Sequence, residues 1–502
     1  GDRAESSCGR SPPEAEMSLM SAGGRVVLND IHSGLNESEA ASVVRVDTPS
    51  AVRSELVRAA ARGQPVAFAG GHHAMGGQQF CRDGVVLDTR GMNRVLSLDS
   101  ERGIVDVEAG IQWPELIAHL NAAQRSAGRP WAIAQKQTGA DRLTIGGSIA
   151  ANIHGRGLKM KPFVADIESF MLVDASGQMI RCSRDENAGL FRLATGGYGL
   201  FGCIVSARIR LVRRRLLERI VELETIDNAM TRFGERIADG FEYGDFQFAT
   251  DSSSEDFLFR GIFSCYRPVE RANGPPATQA MLSSEDWRKL ILLAHADKRL
   301  AFELYSQHYL KTSGQLYYSD LHQLSEYEDG YHRRVDEALD ASHPGSEMIS
   351  ELYVPRDRLA DFMAAASKDF RAHGVNVIYG TVRLIERDDE VFLTWAREPW
   401  ACIIFNLHAD HSPAGIEHTA AAFRRLIDLA VARGGSYFLT YHRWAARAHV
   451  EACHPRLVEF LRLKRTYDPD ERLQSDWYRH YRAMFAEELD DDVQLKGCAG
   501  QA

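Results

Sequence analysis

The first part of the chain alternates short apolar runs with amphipathic segments. Residues 66–69 (Val-Ala-Phe-Ala) and 85–88 (Val-Val-Leu-Asp) are apolar runs of strand length, which predicts two buried strands. Residues 51–62 carry apolar side chains at helical spacing, and residues 104–109 alternate apolar with acidic side chains, as a half-buried strand does. A helix predicted over 113–125 has a proline in its first turn, where the missing N–H costs nothing. This order of elements indicates an α+β layer.

Strands become more frequent after Arg215, where the composition changes. We predict strands over 246–248, 257–259, 379–385, 392–395, 401–408 and 437–441. Helices are predicted over 283–309, 358–373, 416–433 and 448–467, and a short segment follows at 473–482. Ser283 and Asp286 form a capping pair at the start of the longest of these helices. Strands that follow one another with few helices between them indicate an antiparallel sheet.

Composition places the chain among globular proteins and argues against several functions. The 502 residues are 44% hydrophobic and 25% charged, which is ordinary for a protein of two or three domains. A net charge of -10 without a basic patch argues against a nucleic-acid partner. No apolar run approaches the ~18 residues of a membrane span, so none is expected. Eight scattered cysteines without a CxxC pair give no metal signature and favour a reducing, cytoplasmic location; the oligomeric state is left open.

Three glycine-rich segments, each joined to a strand, are the candidate chemistry. They are residues 70–77 (Gly-Gly-His-His-Ala-Met-Gly-Gly), residues 146–155 (Gly-Gly-Ser, then small residues to Asn-Ile-His-Gly) and residues 195–202. Paired glycines after a strand let successive backbone N–H groups converge, which suits a diphosphate. Small residues over one or two turns also let a flat ligand approach the backbone. Taken singly, each segment is equally compatible with an ordinary turn or a tightly packed helix.

Together these segments resemble the vanillyl-alcohol oxidase, or FAD-linked oxidase, family with its p-cresol methylhydroxylase (PCMH) type of FAD-binding domain. Residues 143–155 and 196–202 look most like the branch of decaprenylphosphoryl-ribose oxidase, alditol oxidase and the aldonolactone oxidases, as does the ending at 460–476. The resemblance implies a two-part FAD-binding domain with an inserted antiparallel-sheet substrate domain that caps the flavin. The expected divisions are a disordered tail 1–28, FAD-binding domain 29–214, substrate domain 215–445, C-terminal return 446–485 and acidic tail 486–502.

The resemblance also implies which residues hold FAD. For the diphosphate they are Ala69, Gly70, Gly71, His72, His73, Ala74, Met75, Gly76, Gln78, Gly146, Gly147 and Ser148. For the isoalloxazine they are Thr138, Gly139, Asp141, Asn152, His154 and Gly155, and for the ribityl–adenine side Gly197, Gly199 and Ile204. Covalent members of the family bond the flavin 8α-methyl through a histidine at the Gly-Gly-His position. We therefore predict a covalent link through His72, the alternatives being His73 or a noncovalent flavin.

Candidate catalytic residues lie on the later strands. Arg383 resembles an active-site arginine of alditol oxidase-like relatives, and the alternative is a surface arginine on a strand. Tyr441 and His442 follow a strand near which relatives carry a catalytic lysine, which this chain lacks; His442 is chemically the better base. Glu351, Asn406 and His408 are further candidates for substrate contact, and each is also compatible with a structural role.

The implied function is an FAD-dependent oxidase or dehydrogenase acting on CH–OH donors. The substrate would be a sugar, polyol or glycosylated small molecule that gives a hydride to flavin N5, with O2 or another electron acceptor reoxidising the flavin. The alternatives are a flavin-dependent dehydrogenase, C=C reductase or oxidative cyclase of a secondary metabolite, and a flavoprotein without catalysis.

Overall fold

The structure is a computed structural model that describes residues 19–20, 24–270, 274–325 and 330–490. Within these ranges, none of the helices has both the length and the apolar character that crossing a bilayer requires. Six cysteines fall inside them, and all six are buried free thiols.

The first part of the chain forms small sheets flanked by short helices. Its strands are β1 (Leu19–Met20), β2 (Val26–Leu28), β3 (Ser38–Ala40), β4 (Ser42–Arg45), β5 (Val66–Ala69), β6 (Val85–Asp88), β7 (Val95–Asp99), β8 (Ile104–Glu108), β9 (Trp131–Ala132), β10 (Ile167–Val173), β11 (Met179–Ser183), β12 (Cys203–Arg210) and β13 (Val212–Arg213). Its helices are α1 (Pro49–Ala61), α2 (Trp113–Ala123), α3 (Ile145–Ala151) and α4 (Ala188–Ala194), with 3₁₀ turns at Thr89–Gly91 and Phe163–Asp166. β4, β6 and β5 pair in parallel, and β11-β10-β12-β8-β7 form an antiparallel sheet.

The middle of the chain is built on one large antiparallel sheet. Its strands are β14 (Leu216–Thr225), β15 (Tyr243–Phe248), β16 (Arg260–Val269), β17 (Leu316–Tyr318), β18 (Gly345–Pro355), β19 (Val377–Ile385), β20 (Trp400–Asp410) and β21 (Ser436–Tyr437), in the spatial order β17-β14-β16-β15-β19-β20-β18-β21. Its helices are α5 (Ile226–Ala238), α6 (Ser284–Ala296), α7 (Lys298–Lys311), α8 (Tyr331–Ala338), α9 (Leu359–His373) and α10 (Pro413–Val431), with 3₁₀ turns at Leu321–Gln323 and Arg356–Arg358.

Alternation along the strands gives this large sheet two different faces. Phe405 on β20 points toward α9 and α10, where its ring meets Phe370 edge-on within the main core. Its neighbours Ile404 and Asn406 point the other way, because successive strand side chains lie on opposite faces. The second face therefore looks toward the first part of the chain and lines a cavity.

The C-terminal helices return to the first part of the chain. They are α11 (Arg447–Cys453), α12 (Leu457–Tyr467) and α13 (Asp476–Met484). Leu473 lies beside Val66 of β5 in a parallel bridge, and the backbone N–H of Gln474 donates to the carbonyl of Val66 at 3.0 Å. The side chain of Leu473 is fully buried among apolar residues of α1, β5 and β6. The segment before α13 thus completes the hydrophobic core beneath β5.

Several predicted elements differ from the structure. The helix predicted over 283–309 is two helices, because Asp297 ends α6 and its side chain caps α7 by accepting from Leu300 N–H at 3.0 Å. The helix predicted over 448–467 is broken at Pro455, which has no N–H to continue the hydrogen-bond ladder. The predicted strand 257–259 is a turn before β16, in which Leu258 has a φ of 54°.

Two further predicted strands are irregular. Residues 392–395 form a loop in which the Trp395 indole donates to the carbonyl of Asn152 at 3.0 Å instead of extending the sheet. The strand predicted over 437–441 ends at Tyr437, because the carbonyl of Leu439 accepts from Trp477 at 3.1 Å and that of Thr440 accepts from Met75 N–H at 3.2 Å.

Both predicted tails are shorter than expected where the structure describes them. Leu28 is buried and β2 pairs with β3, so residues 26–28 belong to the folded domain. Leu489 is 2% exposed and packs in the main core, so the folded part continues past residue 486. The remainder of these predictions, residues 1–18, 21–23 and 491–502, lies outside the described residues.

Candidate functional site

A cavity of about 640 Å³ lies between the glycine-rich segments and the large sheet. The loop after β5, the start of α3 and the segment before β12 supply its wall from the first part of the chain. The free face of β15, β19, β20 and β18 supplies another wall, and α6 and α7 close a third side. All three glycine-rich segments of the sequence therefore meet at one cavity.

Close backbone approach explains the glycines after β5. A Cβ at Gly70 would lie 2.3 Å from Thr144 Oγ1, and a Cβ at Gly71 would lie 2.3 Å from the carbonyl oxygen of Arg142. The two glycine-rich loops are thus packed closely against each other, and neither glycine leaves room for a Cβ atom. Thr144 also caps α3, because its hydroxyl accepts from Gly147 N–H at 3.1 Å. A bare backbone lining of this kind fits the phosphates and the flat ring of a dinucleotide such as FAD.

The loop after β5 is held from behind by two other segments. Asn36 donates from its side-chain amide to the carbonyl of Met75 at 2.8 Å. The Gln78 amide donates to the carbonyl of Leu439 at 3.3 Å, and Met75 N–H donates to Thr440 as described above. The chain just before Tyr441 therefore fixes the glycine loop and the cavity wall together.

Three histidines gather at this loop. His32 Nε2 lies 2.9 Å from His73 Nδ1, while Nε2 of His73 is buried without a hydrogen-bond partner among the described residues. Burial, aided by His32 and His72, holds the pKa of His73 well below its usual range. His73 is therefore a neutral imidazole in the cavity wall, with the backbone of Arg142 beside its ring. His72 has a φ of 58°, and its ring meets Phe80 edge-on.

Glu351 is the centre of a buried hydrogen-bond cluster on β18. Tyr353 donates to Glu351 Oε1 at 2.5 Å, Tyr441 donates to Oε2 at 3.0 Å, and His154 Nε2 lies 2.7 Å from Oε1. Burial alone would raise the pKa of Glu351, but the positive charge of His154 and these hydrogen bonds together lower it to about 2. A carboxylate that is 1% exposed is thus kept ionised in the cavity wall.

The same cluster involves both ring nitrogens of His154 and the hydroxyl of Tyr441. His154 Nδ1 lies 2.8 Å from the carbonyl of Gly155, so both ring nitrogens face oxygen acceptors. Burial and the charge of Glu351 raise the pKa of Tyr441 well above its usual range, so Tyr441 keeps its proton and acts as a donor.

Arg383 lies on β19 with its side chain in the cavity wall, not on the outer surface. The residue is 5% exposed, and its Nε and Nη1 have no hydrogen-bond partner in the described part of the chain. Thr381, two positions earlier on the same face, also has an unpartnered hydroxyl. Such donors point to a ligand that presents oxygen acceptors.

The structure brings most of the predicted residues to the cavity. Those that line it are Ala69, Gly70, Gly71, His72, His73, Ala74, Met75, Gln78, Thr138, Gly139, Gly146, Gly147, His154, Gly199, Ile204, Glu351, Arg383, Asn406 and Tyr441. Those that lie behind the lining are Gly76, Asp141, Ser148, Asn152, Gly155, Gly197, His408 and His442. Which of them contact FAD or substrate remains a prediction.

The residues behind the lining have structural partners instead. Ser148 accepts from the Trp113 indole at 3.0 Å, and Asp141 pairs with Lys136 at 2.7 Å. His442 stacks on Trp444 at 4.2 Å, and burial lowers its pKa to about 4. The His408 ring contacts the His295 ring of α6, with 5.7 Å between the ring centroids.

Sequence reasoning overlooked the polar side chains of β15, Tyr353 beside Glu351 and Tyr379 on β19. Asp245 and Gln247 line the cavity from alternate positions of β15, and Tyr379 lies two residues before Thr381. Period-two alternation within these strands was the available signal for all of them. The partnership of His154 with Glu351 had no such signal, because 197 residues separate the two.

Comparison with known proteins agrees with this geometry. Residues 40–183 match the family model described as "FAD binding domain". The chain therefore carries an FAD-binding domain of the PCMH type, and it is similar at modest identity to proteins named as oxidases and dehydrogenases. FAD is its cofactor, and the mixed helix-and-sheet fold with antiparallel sheets in its later part agrees with the expected architecture.

Individual relatives match over part of their length. Cytokinin dehydrogenase 7 of Oryza sativa is 32% identical over 38% of this chain and 36% of its own. L-gulono-1,4-lactone dehydrogenase of Mycobacterium tuberculosis is 27% identical over 48% of this chain and 52% of its own. L-gulonolactone oxidase of Mus musculus is 29% identical over 32% of this chain and 35% of its own. The matches thus span about half or less of these relatives.

Proposed function

We propose that the protein is an FAD-dependent oxidoreductase that oxidises a CH–OH group of a small molecule, a sugar, polyol or glycosylated compound. The observation that carries the proposal is the ionised Glu351, donated to by Tyr441, in the wall of the cavity that the glycine loops line. Relatives named as lactone oxidases and dehydrogenases support the same class of reaction.

The chain's own residues supply the proton chemistry. When bound, FAD accepts the hydride that leaves the substrate carbon. The hydroxyl proton goes to Glu351, either directly or by way of the Tyr441 phenol, which gives its own proton to Glu351 as it takes the one from substrate. His154 stabilises the carboxylate from the opposite oxygen and fixes its orientation.

Anaerobic titration tests this proposal. The purified flavoprotein is mixed with a panel of sugars, polyols and glycosides, and bleaching of the visible flavin absorbance is followed. We expect at least one hydroxyl compound to bleach the flavin, and air to restore the colour with release of hydrogen peroxide if O2 is the acceptor. Bleaching by NADPH alone, with no response to any hydroxyl compound, would contradict an alcohol oxidation and support a C=C reductase.

We also propose that FAD is attached covalently, and that His73 rather than His72 forms the bond. The support is the buried, unpartnered Nε2 of His73 and the His32 contact to its other nitrogen. The neutral His73 imidazole, held by a second histidine, would bond through Nε2 to the flavin 8α-carbon. The methyl C–H bond would break with loss of a proton, and the two electrons would pass into the flavin ring and from there to O2 or another electron acceptor.

Intact-mass measurement under denaturing conditions tests the attachment. Wild-type protein and His72→Ala should carry the added mass of FAD, and His73→Ala should lose it while still binding flavin reversibly. Loss of the added mass in His72→Ala alone assigns the bond to His72, and its absence from wild type shows a noncovalent flavin.

A further inference from the structure

The cavity has an apolar side that is made by two helices. Trp287, Leu290, Ile291 and Ala294 recur at helical spacing on α6, and Phe302 continues the row on α7. None of the residues of α6 is fully buried, so this helix does not pack its apolar row into a core. The row faces the cavity, and an apolar ligand would complete its burial.

The cavity also carries positive charge without an anionic partner. One of its cations is compensated, because Arg156 pairs with Asp245 at 3.3 Å. Arg383 makes no ion pair, and its Nε and Nη1 are unpartnered among the described residues.

Arg219 is a second cation of the cavity without a carboxylate partner. It also lines the cavity, and its guanidinium contacts the hydroxyls of Tyr266, Tyr317 and Thr312 rather than a carboxylate. Among the described residues that line the cavity, the buried carboxylate oxygen without a hydrogen-bond partner is Oδ1 of Asp245. This oxygen can accept a hydrogen bond from a ligand hydroxyl. A buried guanidinium without an anion is costly, so a ligand that brings one would be bound strongly.

We infer that the substrate is an amphipathic carboxylate, whose carboxylate contacts Arg383 and whose apolar or aromatic body lies against α6 and α7. A guanidinium binds a carboxylate through two parallel hydrogen bonds, which the free Nε and a terminal nitrogen of Arg383 can provide. The inference rests on the proposed function, because it assigns the substrate class of the same cavity.

Binding calorimetry on the flavin-loaded protein separates the two parts of the inference. The probes are hexanoate, octanoate and decanoate together with their primary amides. Each carboxylate should bind at least about tenfold more tightly than its amide, because a charge-assisted pair exceeds a neutral hydrogen bond. Affinity should rise up to about fourfold for each added CH₂ that becomes buried.

Substitutions test the carboxylate contact and the apolar contact at the residues that are proposed to make them. Arg383→Gln should remove the preference for carboxylate over amide, and Arg383→Lys should retain part of it. Leu290→Gln should flatten the chain-length dependence without changing the carboxylate preference. Two exposed residues away from this cavity serve as matched controls, Arg387→Gln and Leu96→Gln, and both should bind as wild type does.

The outcomes distinguish this inference from the proposed function. Equal affinities for carboxylates and amides, or a preference that survives in Arg383→Gln, overturn the anionic contact. Affinity that does not depend on chain length overturns the apolar contact. Calorimetry needs no turnover, so a protein that binds the carboxylates as expected but is bleached by no hydroxyl compound fails the proposed function alone.

Discussion

A carboxylate removed from water stays charged at Glu351 because three donors converge on it. His154, Tyr353 and Tyr441 supply enough stabilisation to overcome the cost of burial, and the pKa falls to about 2. Glu351 is therefore ionised throughout the physiological pH range, and its charge does not depend on small changes of pH.

Replacing Glu351 by Gln should abolish most turnover without loss of FAD. The amide keeps the shape but cannot accept a proton, and general-base catalysis is typically worth about 10²–10⁴-fold. The measurement is the rate of anaerobic flavin bleaching with a substrate found by the panel. Glu347→Gln is the control, because Glu347 lines the same cavity but pairs with Asn406. Equal losses in both variants would contradict a special role for Glu351.

A second carboxylate gives a pH dependence of stability. Burial raises the pKa of Asp166 to about 7, and the hydrogen bond from Gln135 only partly offsets this. The folded state thus disfavours the charged form, so the cost is absent below pH ~4, grows as pH rises from ~4 to ~7, and is complete above that.

Asp166→Asn should therefore stabilise the protein at pH 8 and have little effect at pH 4. We expect a gain of about 2 kcal/mol at pH 8, less than full enclosure would give, because Asp166 is only partly buried. Thermal unfolding at the two pH values measures it. A gain of the same size at both would show that charge is not its cause.

At the scale of elements, the two glycine loops depend on contacts that a single methyl group would break. Gly71→Ala should lower the FAD content of the purified protein severalfold, because the new Cβ would meet the carbonyl of Arg142 at 2.3 Å and push the loops apart. The ratio of flavin to protein absorbance measures this. Gly128→Ala is the matched control, since a Cβ there has no neighbour within 4 Å. Unchanged flavin content in Gly71→Ala would mean that the loops can separate and still bind FAD.

Local patterns predicted the elements far better than they predicted the site. The runs at β5, β6 and β20 and the helices α9 and α10 appear in the structure near their predicted ends, because their periodicity and caps are local features. The break at Asp297 was missed because an aspartate within an apolar helical row is a weaker signal than proline or glycine. The glycine loops were found because close approach demands glycine, whereas no local pattern relates Glu351 to His154 or Tyr441.

At the scale of the molecule, the parts of the chain share one hydrophobic core. The main core contains Val107 and Phe170 from the first part, Phe246 and Phe405 from the large sheet, and Trp477 from α13. Relative motion of domains is expected where an interface is small or polar, and this one is neither. Access to the cavity therefore depends on local segments such as α6 and α7 rather than on separation of the domains.

Leu473→Ala should destabilise the FAD-binding part although it lies far from the glycines in sequence. Its fully buried side chain packs in the cluster with Val66, and removing three carbons from such a site costs about 2–5 kcal/mol. We expect a lower midpoint of thermal unfolding and earlier release of any noncovalent flavin on heating. Leu96→Ala, at an exposed position, should change neither. A flavin that is released at the wild-type temperature would show that this core does not support the loop.

The bridge between Val66 and Leu473 also sets an order of events during synthesis. The glycine loop after β5 is translated before the large sheet, and the residue that closes the core beneath it is translated after that sheet. The large sheet between them has all of its own strands available before that moment. We therefore expect flavin incorporation to follow completion of the sheet rather than the emergence of the glycines.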